Sequence, residues 1–199
     1  GDWKRAETLL RRATEACPVD ADARRQYAEA LWHRGAMSVA LAQLEEARRL
    51  SSEDAELAVR TGELYLALGW PDDARRMVEE SMRLDPKFAP AWSLRGRIAL
   101  AAGHPRQALA DFQRSLGYAP DNYDVAILVA ETYRQLNDPD RALLALQSAG
   151  ENFSSGEEPQ QLLYLEGLAL AALERHDEAA RVLALAARRE KPSAEVLVR

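Results

Sequence analysis

The sequence of 199 residues contains a single cysteine, Cys17, and only three histidines. One cysteine cannot form an intrachain disulfide bond, and it cannot supply a thiolate cluster for a metal ion. The histidines, His33, His104 and His176, are far apart in the chain and form no recognisable ligand group. We therefore expect that the chain binds neither a metal ion nor a cofactor.

Motifs that bring catalytic groups together are also missing. The sequence has no glycine-rich phosphate loop followed by Lys-Ser or Lys-Thr, and no H-E-x-x-H, G-x-S-x-G or C-x-x-C pattern. Adjacent carboxylates such as Glu45 and Glu46 point in different directions on a helix, so they do not share a substrate. We expect that the chain is not an enzyme.

Long apolar runs and an excess of basic residues are absent as well. No stretch approaches 18 consecutive apolar residues, which argues against direct insertion into a membrane. The net charge is −6, which is a poor match for the phosphates of nucleic acid. Residues 1–5 lack the apolar region of a signal peptide. We expect a soluble chain that is cytoplasmic or, if an upstream signal precedes it, exported.

A period of 34 residues runs through the sequence. Alanine recurs at this spacing, and an apolar residue follows each alanine four positions later, which places both on one face of a helix. The alanines are Ala6, Ala40, Ala74, Ala108 and Ala142. The period predicts a chain built from repeated helices.

Glycine and proline mark the breaks between these helices. Glycine keeps the same period, with asparagine in the fourth place, and both residues tolerate turn conformations. This set is Gly35, Gly69, Gly103 and Asn137. Proline, which suits the first turn of a helix, follows two residues later. These prolines are Pro71, Pro105 and Pro139. A second helix is predicted to start at each proline.

The repeating unit is therefore a helix A, a turn, a helix B and a second turn. Asp20, Asp54 and Asn122 can cap the start of helix A. We predict a single repeat domain over 1–199 that begins with a half repeat, helix B only. Its parts are 1–20 for the half repeat, 21–54, 55–88, 89–122, 123–156 and 160–193 for full repeats, and 194–199 for the start of a further helix A. Three inserted residues are placed within 153–159, because Ala179 follows Ala142 by 37 residues.

Residues 89–122 carry the fullest pattern of the repeat. Its marks are Trp92, Gly96, Ala108, Phe112 and Pro120. This pattern resembles the tetratricopeptide repeat family, and the resemblance covers essentially the whole chain. It implies an all-α fold, a right-handed superhelical solenoid of antiparallel helix hairpins with a concave groove. Arg95 and Glu166 depart from the pattern, since these positions are usually aliphatic. Pentatricopeptide RNA binders have a similar hairpin, but the glycine and proline signature and the acidic balance disfavour them.

In this family the groove is lined mainly by helix A, and the resemblance carries that lining over to fourteen residues. They are Arg25, Gln26, Glu29, Trp32, Arg60, Glu63, Leu94, Arg97, Ile127, Leu128, Glu131, Tyr164, Leu165 and Leu168. The set is polar near the N-terminus and more apolar toward the C-terminus, which fits an amphipathic helix or an extended segment. The alternative is that neighbouring helices cover the leucines. A clamp for a C-terminal carboxylate is not carried over, because Glu29, Glu63 and Glu131 would repel that group.

The resemblance implies a scaffold that binds a peptide or helix of a partner protein in the groove. Two alternatives remain open: a substrate-recruiting or regulatory region of a larger enzyme or assembly, and a self-assembling module. The self-assembling module is suggested by the uncapped ends of the predicted repeat array, through which the chain could form a homo-oligomer. The sequence does not identify the partner.

Overall fold

The computed structural model describes residues 2–154 and 156–188, and within these ranges all regular structure is helical. The eleven described helices are α1 (Trp3–Ala16), α2 (Ala21–His33), α3 (Met37–Leu50), α4 (Ala55–Ala67), α5 (Pro71–Leu84), α6 (Ala89–Ala101), α7 (Pro105–Tyr118), α8 (Tyr123–Gln135), α9 (Pro139–Gly150), α10 (Gln160–Ala172) and α11 (His176–Arg188). The predicted all-α class is confirmed. The predicted helix at 194–199 lies outside the described residues.

The helices alternate between A helices, which are α2, α4, α6, α8 and α10, and B helices, which are α1, α3, α5, α7, α9 and α11. Each A helix is followed by a short turn and a B helix, as the repeat predicts. The chain divides into two compact units, Gly1–Ile98 and Ala99–Arg199. In the first unit α2 packs on α3, and α4 on α5. In the second unit α8 packs on α9, and α10 on α11.

Helix starts follow the local sequence. The side chains of Asp20, Asp54 and Asn122 each accept a hydrogen bond from the backbone N–H three residues later, at 2.9, 2.9 and 3.1 Å. Such a cap satisfies a backbone donor that the helix leaves unpaired, and it contributes about 1 kcal/mol. Proline occupies the first helical turn of α5, α7 and α9. Both predictions of helix starts are confirmed.

The turns inside the hairpins adopt a left-handed backbone. Gly35, Gly69 and Gly103 have φ angles of +78°, +79° and +76°, and Asn137 has 58°, which confirms the predicted turns. Glu174 holds the corresponding place in the last hairpin, with a φ of 59°. Glutamate is not a turn signal, so the sequence pattern does not mark this turn. Its Cβ makes this conformation unfavourable.

Small residues set the distance between helices in each unit. Gly62 on α4 leaves room for α5 and α6, because a Cβ placed there would lie 2.8 Å from Leu94 Cδ2 and 3.0 Å from Met77 Cβ. In the second unit Ala108 and Phe112 on α7 are fully buried against α8. Each unit contains two clusters of buried apolar residues, and each cluster joins side chains from successive helices.

The connection between α9 and α10 is longer than the others. It runs over residues 151–159, whereas residues 51–54 and 85–88 make the equivalent turns in the first unit. Phe153 packs edge-on against the ring of Tyr123, with centroids 5.4 Å apart. This contact ties the start of the connection to α8.

Candidate partner-binding surface

In the first unit four of the predicted lining residues form part of a series of ion pairs that crosses the A helices. On α2, Arg25 Nη2 lies 3.3 Å from Asp22 Oδ1. The same guanidinium reaches α4, where its Nη1 lies 3.5 Å from Glu56 Oε1. Glu56 in turn lies 3.9 Å from Arg60 Nε on its own helix. One carboxylate therefore links the arginines of two successive A helices.

The series continues from α4 to α6 through Glu63. Arg60 Nη1 lies 3.2 Å from Glu63 Oε2, and Arg97 Nη1 lies 3.1 Å from Glu63 Oε1. Both oxygens of Glu63 thus face an arginine, and its side chain is only 19% exposed. We call the whole series the ion-pair ladder: Asp22, Arg25, Glu56, Arg60, Glu63 and Arg97.

The ladder changes the electrostatic expectation for this face. Its three arginines and three carboxylates neutralise one another, so Glu63 does not present a free negative charge. Glu29 and Gln26 on α2 are exposed. Glu29 has no ion-pair partner among the described residues, which leaves it as the unpaired charge of the predicted set in the first unit. Trp32 is half-buried and packs against the core shared by α2, α3 and α4.

Three of the predicted lining residues lie in the core. Leu94, Ile127 and Leu165 are exposed by only 1%, 4% and 7%. Leu94 fills the space beside Gly62 in the first unit. Ile127 and Leu165 belong to the core cluster of α8, α9, α10 and α11. Neighbouring helices cover these side chains, so in this arrangement a partner cannot contact them.

The remaining predicted residues of the second unit lie at or near its surface. Tyr164 on α10 is 51% exposed. Leu128 on α8 and Leu168 on α10 are half-buried, and α8 and α10 are in contact. Glu131 is half-buried, and burial raises the pKa of its carboxyl, which Arg134 partly opposes. This face is therefore less charged than the corresponding face of the first unit.

The two departures from the family pattern are accommodated by specific contacts. The guanidinium of Arg95 lies 4.3 Å from the centre of the Trp92 ring, and its Nη1 lies 3.7 Å from Met82 Sδ. Glu166 on α10 is half-buried; loss of water around it raises the pKa of its carboxyl, while a hydrogen bond with Gln147 acts in the opposite direction. The guanidinium of Arg95 thus contacts Trp92 and Met82, and the carboxyl of Glu166 contacts Gln147.

Within residues 2–154 and 156–188, no three His, Cys, Asp or Glu side chains are grouped in a way that could hold a metal ion. Cys17 is exposed in the turn after α1. None of the described helices combines the length and the apolar character that crossing a membrane requires.

Comparison with known sequences supports the repeat pattern. A family model described as Tetratricopeptide repeat matches residues 32–98 and 99–163, and a second model of the same description matches residues 1–55. Among curated proteins, the chain is similar to the Hsp70-Hsp90 organizing protein of Triticum aestivum, with 21% identity over 145 residues. That match covers 73% of this chain and 25% of the wheat protein, so the chain spans about a quarter of its relative's length.

Similar solved structures include pilF of Pseudomonas aeruginosa, at a TM-score of 0.74 and 21% identity, covering 92% of this chain and 82% of that one. YrrB, described as a TPR protein with an unusual peptide-binding site, matches at a TM-score of 0.59 and 21% identity, covering 89% and 90% of the two chains. At these identities the likeness shows the fold.

Proposed function

Because the chain belongs to the tetratricopeptide repeat family, we propose that it is a protein-interaction scaffold that holds a peptide or helix of a partner protein on its A helices. The A-helix face of the first unit consists of the ion-pair ladder with Gln26 and Glu29. The A-helix face of the second unit consists of Leu128, Glu131, Tyr164 and Leu168. Together, these two faces contain all of the accessible residues of the predicted lining except Trp32.

The ladder supports this role because it presents both charges in fixed positions. An arginine held by a carboxylate loses less side-chain freedom on binding than a free one. A partner segment with alternating charges can exchange ion pairs with the ladder without leaving a charge unpaired. Since surface ion pairs contribute only about 0.2–1 kcal/mol each, the ladder favours orientation and selectivity over raw affinity.

Tyr164 supports an apolar contact in the second unit. An exposed tyrosine offers a large ring with few rotatable bonds and a hydroxyl that remains hydrated, which suits an interface anchor. Leu128 and Leu168 add partly exposed apolar surface on the same set of helices. An amphipathic helix or extended segment with apolar side chains matches this face.

The wheat relative is named as an organizing protein of Hsp70 and Hsp90, but capture of a C-terminal carboxylate is not proposed for this chain. Gln26 and Glu29 are exposed on α2, and Glu29 has no ion-pair partner among the described residues. An unpaired carboxylate repels a terminal carboxylate. Partners with an internal segment, rather than a free C-terminus, fit this surface better.

The experiment is affinity capture from a native extract, followed by measurement of the affinity for the purified partner. The test variant is Tyr164→Glu, and the control is Leu185→Glu on α11, whose side chain is similarly exposed at 49%. We expect binding to weaken about tenfold in the test variant and to stay unchanged in the control. Equal loss in both variants, or in neither, contradicts a role for the A-helix face. If the captured protein is a second copy of the chain, self-assembly is the function.

A further inference from the structure

A cleft of about 280 Å³ lies in the second unit, among α7, the turn that follows it, α8 and α9. Its lining includes Leu116 from α7, Ala126 and Val129 from α8, and Ala145 from α9. Tyr123 also lines it, and loss of water around the ring raises the pKa of the Tyr123 hydroxyl to about 12. The cleft involves B helices and contains none of the predicted A-helix residues.

The repeat period relates two residues of the cleft to an ion pair in the first unit. In the first unit, Arg48 on α3 and Glu80 on α5 form an ion pair with 2.5 Å between Nη2 and Oε2, which bridges two successive B helices. Two repeats later, the same positions hold Leu116 and Ser148, and both line the cleft. Leucine and serine cannot form a bridge of this kind. No ion pair between these two positions therefore spans α7 and α9, and the cleft lies beside both of them.

The cleft combines an apolar floor with an acidic rim. Asp121 and Glu151 lie in the lining, which contains no lysine, arginine or histidine. Within the described part of the chain, neither carboxylate has an ion-pair partner. The surroundings are acidic too, since residues 99–188 contain thirteen aspartates and glutamates against seven arginines and no lysine. Residues 1–98 are nearly balanced, with seventeen acidic and sixteen basic residues.

We propose that this cleft docks a lysine or arginine side chain from a basic segment of a partner protein. The alkyl stem packs on Leu116, Ala126 and Ala145, and the charged head reaches Asp121 and Glu151 at the rim. Long basic side chains bury their methylene groups along apolar surface while the charge stays hydrated, so one residue satisfies both parts of the cleft. Leu144, 67% exposed and one turn before Ser148, offers contact to an apolar neighbour of that residue.

The test is a titration of the full chain, followed by NMR, with N-acetyl-lysine-N-methylamide. The comparison ligand is N-acetyl-norleucine-N-methylamide, which resembles it but has no ammonium group. We expect the lysine probe to shift the backbone amides of Tyr123, Ala145 and Ser148, and the norleucine probe to bind more weakly. No shifts at the cleft, or equal binding of both probes, overturns the assignment.

Two double variants separate this site from a general attraction to an acidic surface. Asp121→Asn with Glu151→Gln is expected to weaken lysine binding about fivefold, as the loss of two exposed ion pairs predicts. The control, Asp140→Asn with Glu157→Gln, removes the same charge from exposed positions outside the lining, and binding should not change. If the control variant weakens binding of the lysine probe equally, the overall negative charge of the surface, rather than the cleft, attracts the probe.

A third variant closes the cleft without changing the net charge. Leu116→Arg with Ser148→Glu introduces the residue pair that bridges the B helices of the first unit. We expect a folded chain, checked by circular dichroism, that no longer binds the lysine probe. Retained binding in the folded variant contradicts the cleft as the site. If this variant does not fold, the rim variants decide the question alone.

Discussion

Glu63 on α4 and Arg97 on α6 are joined across successive repeats, with 3.1 Å between Oε1 and Nη1. We predict that a double-mutant cycle with Glu63→Ala and Arg97→Ala gives a coupling of about 0.5–1 kcal/mol in the free energy of unfolding. Urea denaturation measures it. The coupling should decrease when salt is raised from 0.05 to about 1 M, because these charges are partly exposed.

A cycle with Arg11 and Glu15, an exposed pair at 3.6 Å on α1, is the control. Equal coupling in both cycles contradicts a structural role for the ladder.

Gly62 is predicted to be intolerant of any side chain. Gly62→Ala should lower the free energy of unfolding by about 1–2 kcal/mol, because its Cβ would press on the buried Leu94 and on Met77. Gly117→Ala on α7 is the matched control, since no atom lies within 4 Å of the added Cβ. There alanine should stabilise the helix by up to about 1 kcal/mol. Urea denaturation should show changes of opposite sign in the free energy of unfolding of the two variants. If both substitutions stabilise the chain, the close approach of Leu94 and Met77 to Gly62 is refuted.

Glu174 is predicted to be a site of local strain. Glu174→Gly should raise the free energy of unfolding by about 1 kcal/mol, because glycine adopts a φ of 59° without a Cβ clash. Gly103→Ala, which adds a Cβ to a turn with the same left-handed backbone, should lower the free energy of unfolding by a similar amount. Thermal denaturation of both variants provides the measurement. A destabilising Glu174→Gly substitution would show that the turn is not strained.

The buried position of Glu166 predicts a pH-dependent stability. Burial raises the pKa of this carboxyl in the folded chain above its ordinary value of 4.5. As pH rises from that value to the folded pKa, the unfolded chain binds fewer protons than the folded one, so stability falls. Glu166→Gln removes this loss. Its advantage over the wild type should be small at pH 4 and larger at pH 7, measured as urea midpoints. The same advantage at both pH values, or one shared by Glu157→Gln at an exposed position, rules out this cause.

The fold was largely predictable from the sequence because its signals are local. A capping aspartate, a proline in the first turn and a glycine with positive φ each act within a few residues, so the spacing of these residues locates the helices. Glu174 escaped prediction because its turn conformation depends on the helices on either side rather than on its own preference.

The surface was less predictable because burial depends on packing across repeats. The positions of Leu94, Ile127 and Leu165 in the repeat are those of groove residues, yet the neighbouring helices cover them. Likewise the charges at Glu63 and Arg97 are visible in the sequence, but their pairing depends on the distance between α4 and α6. The cleft beside Leu116 becomes apparent only after the bridge of the first unit has been observed.

If partners bind to the A helices, site-specific photo-crosslinking from these helices captures them. A photoreactive amino acid is placed at Gln26 or Tyr164 on A helices, and at Val39 or Leu185 on B helices, all of which are exposed. We predict that a partner protein is crosslinked from Gln26 and Tyr164 but not from Val39 and Leu185. Crosslinks to the same partner from Val39 and Leu185, with none from the A helices, would contradict the proposed function.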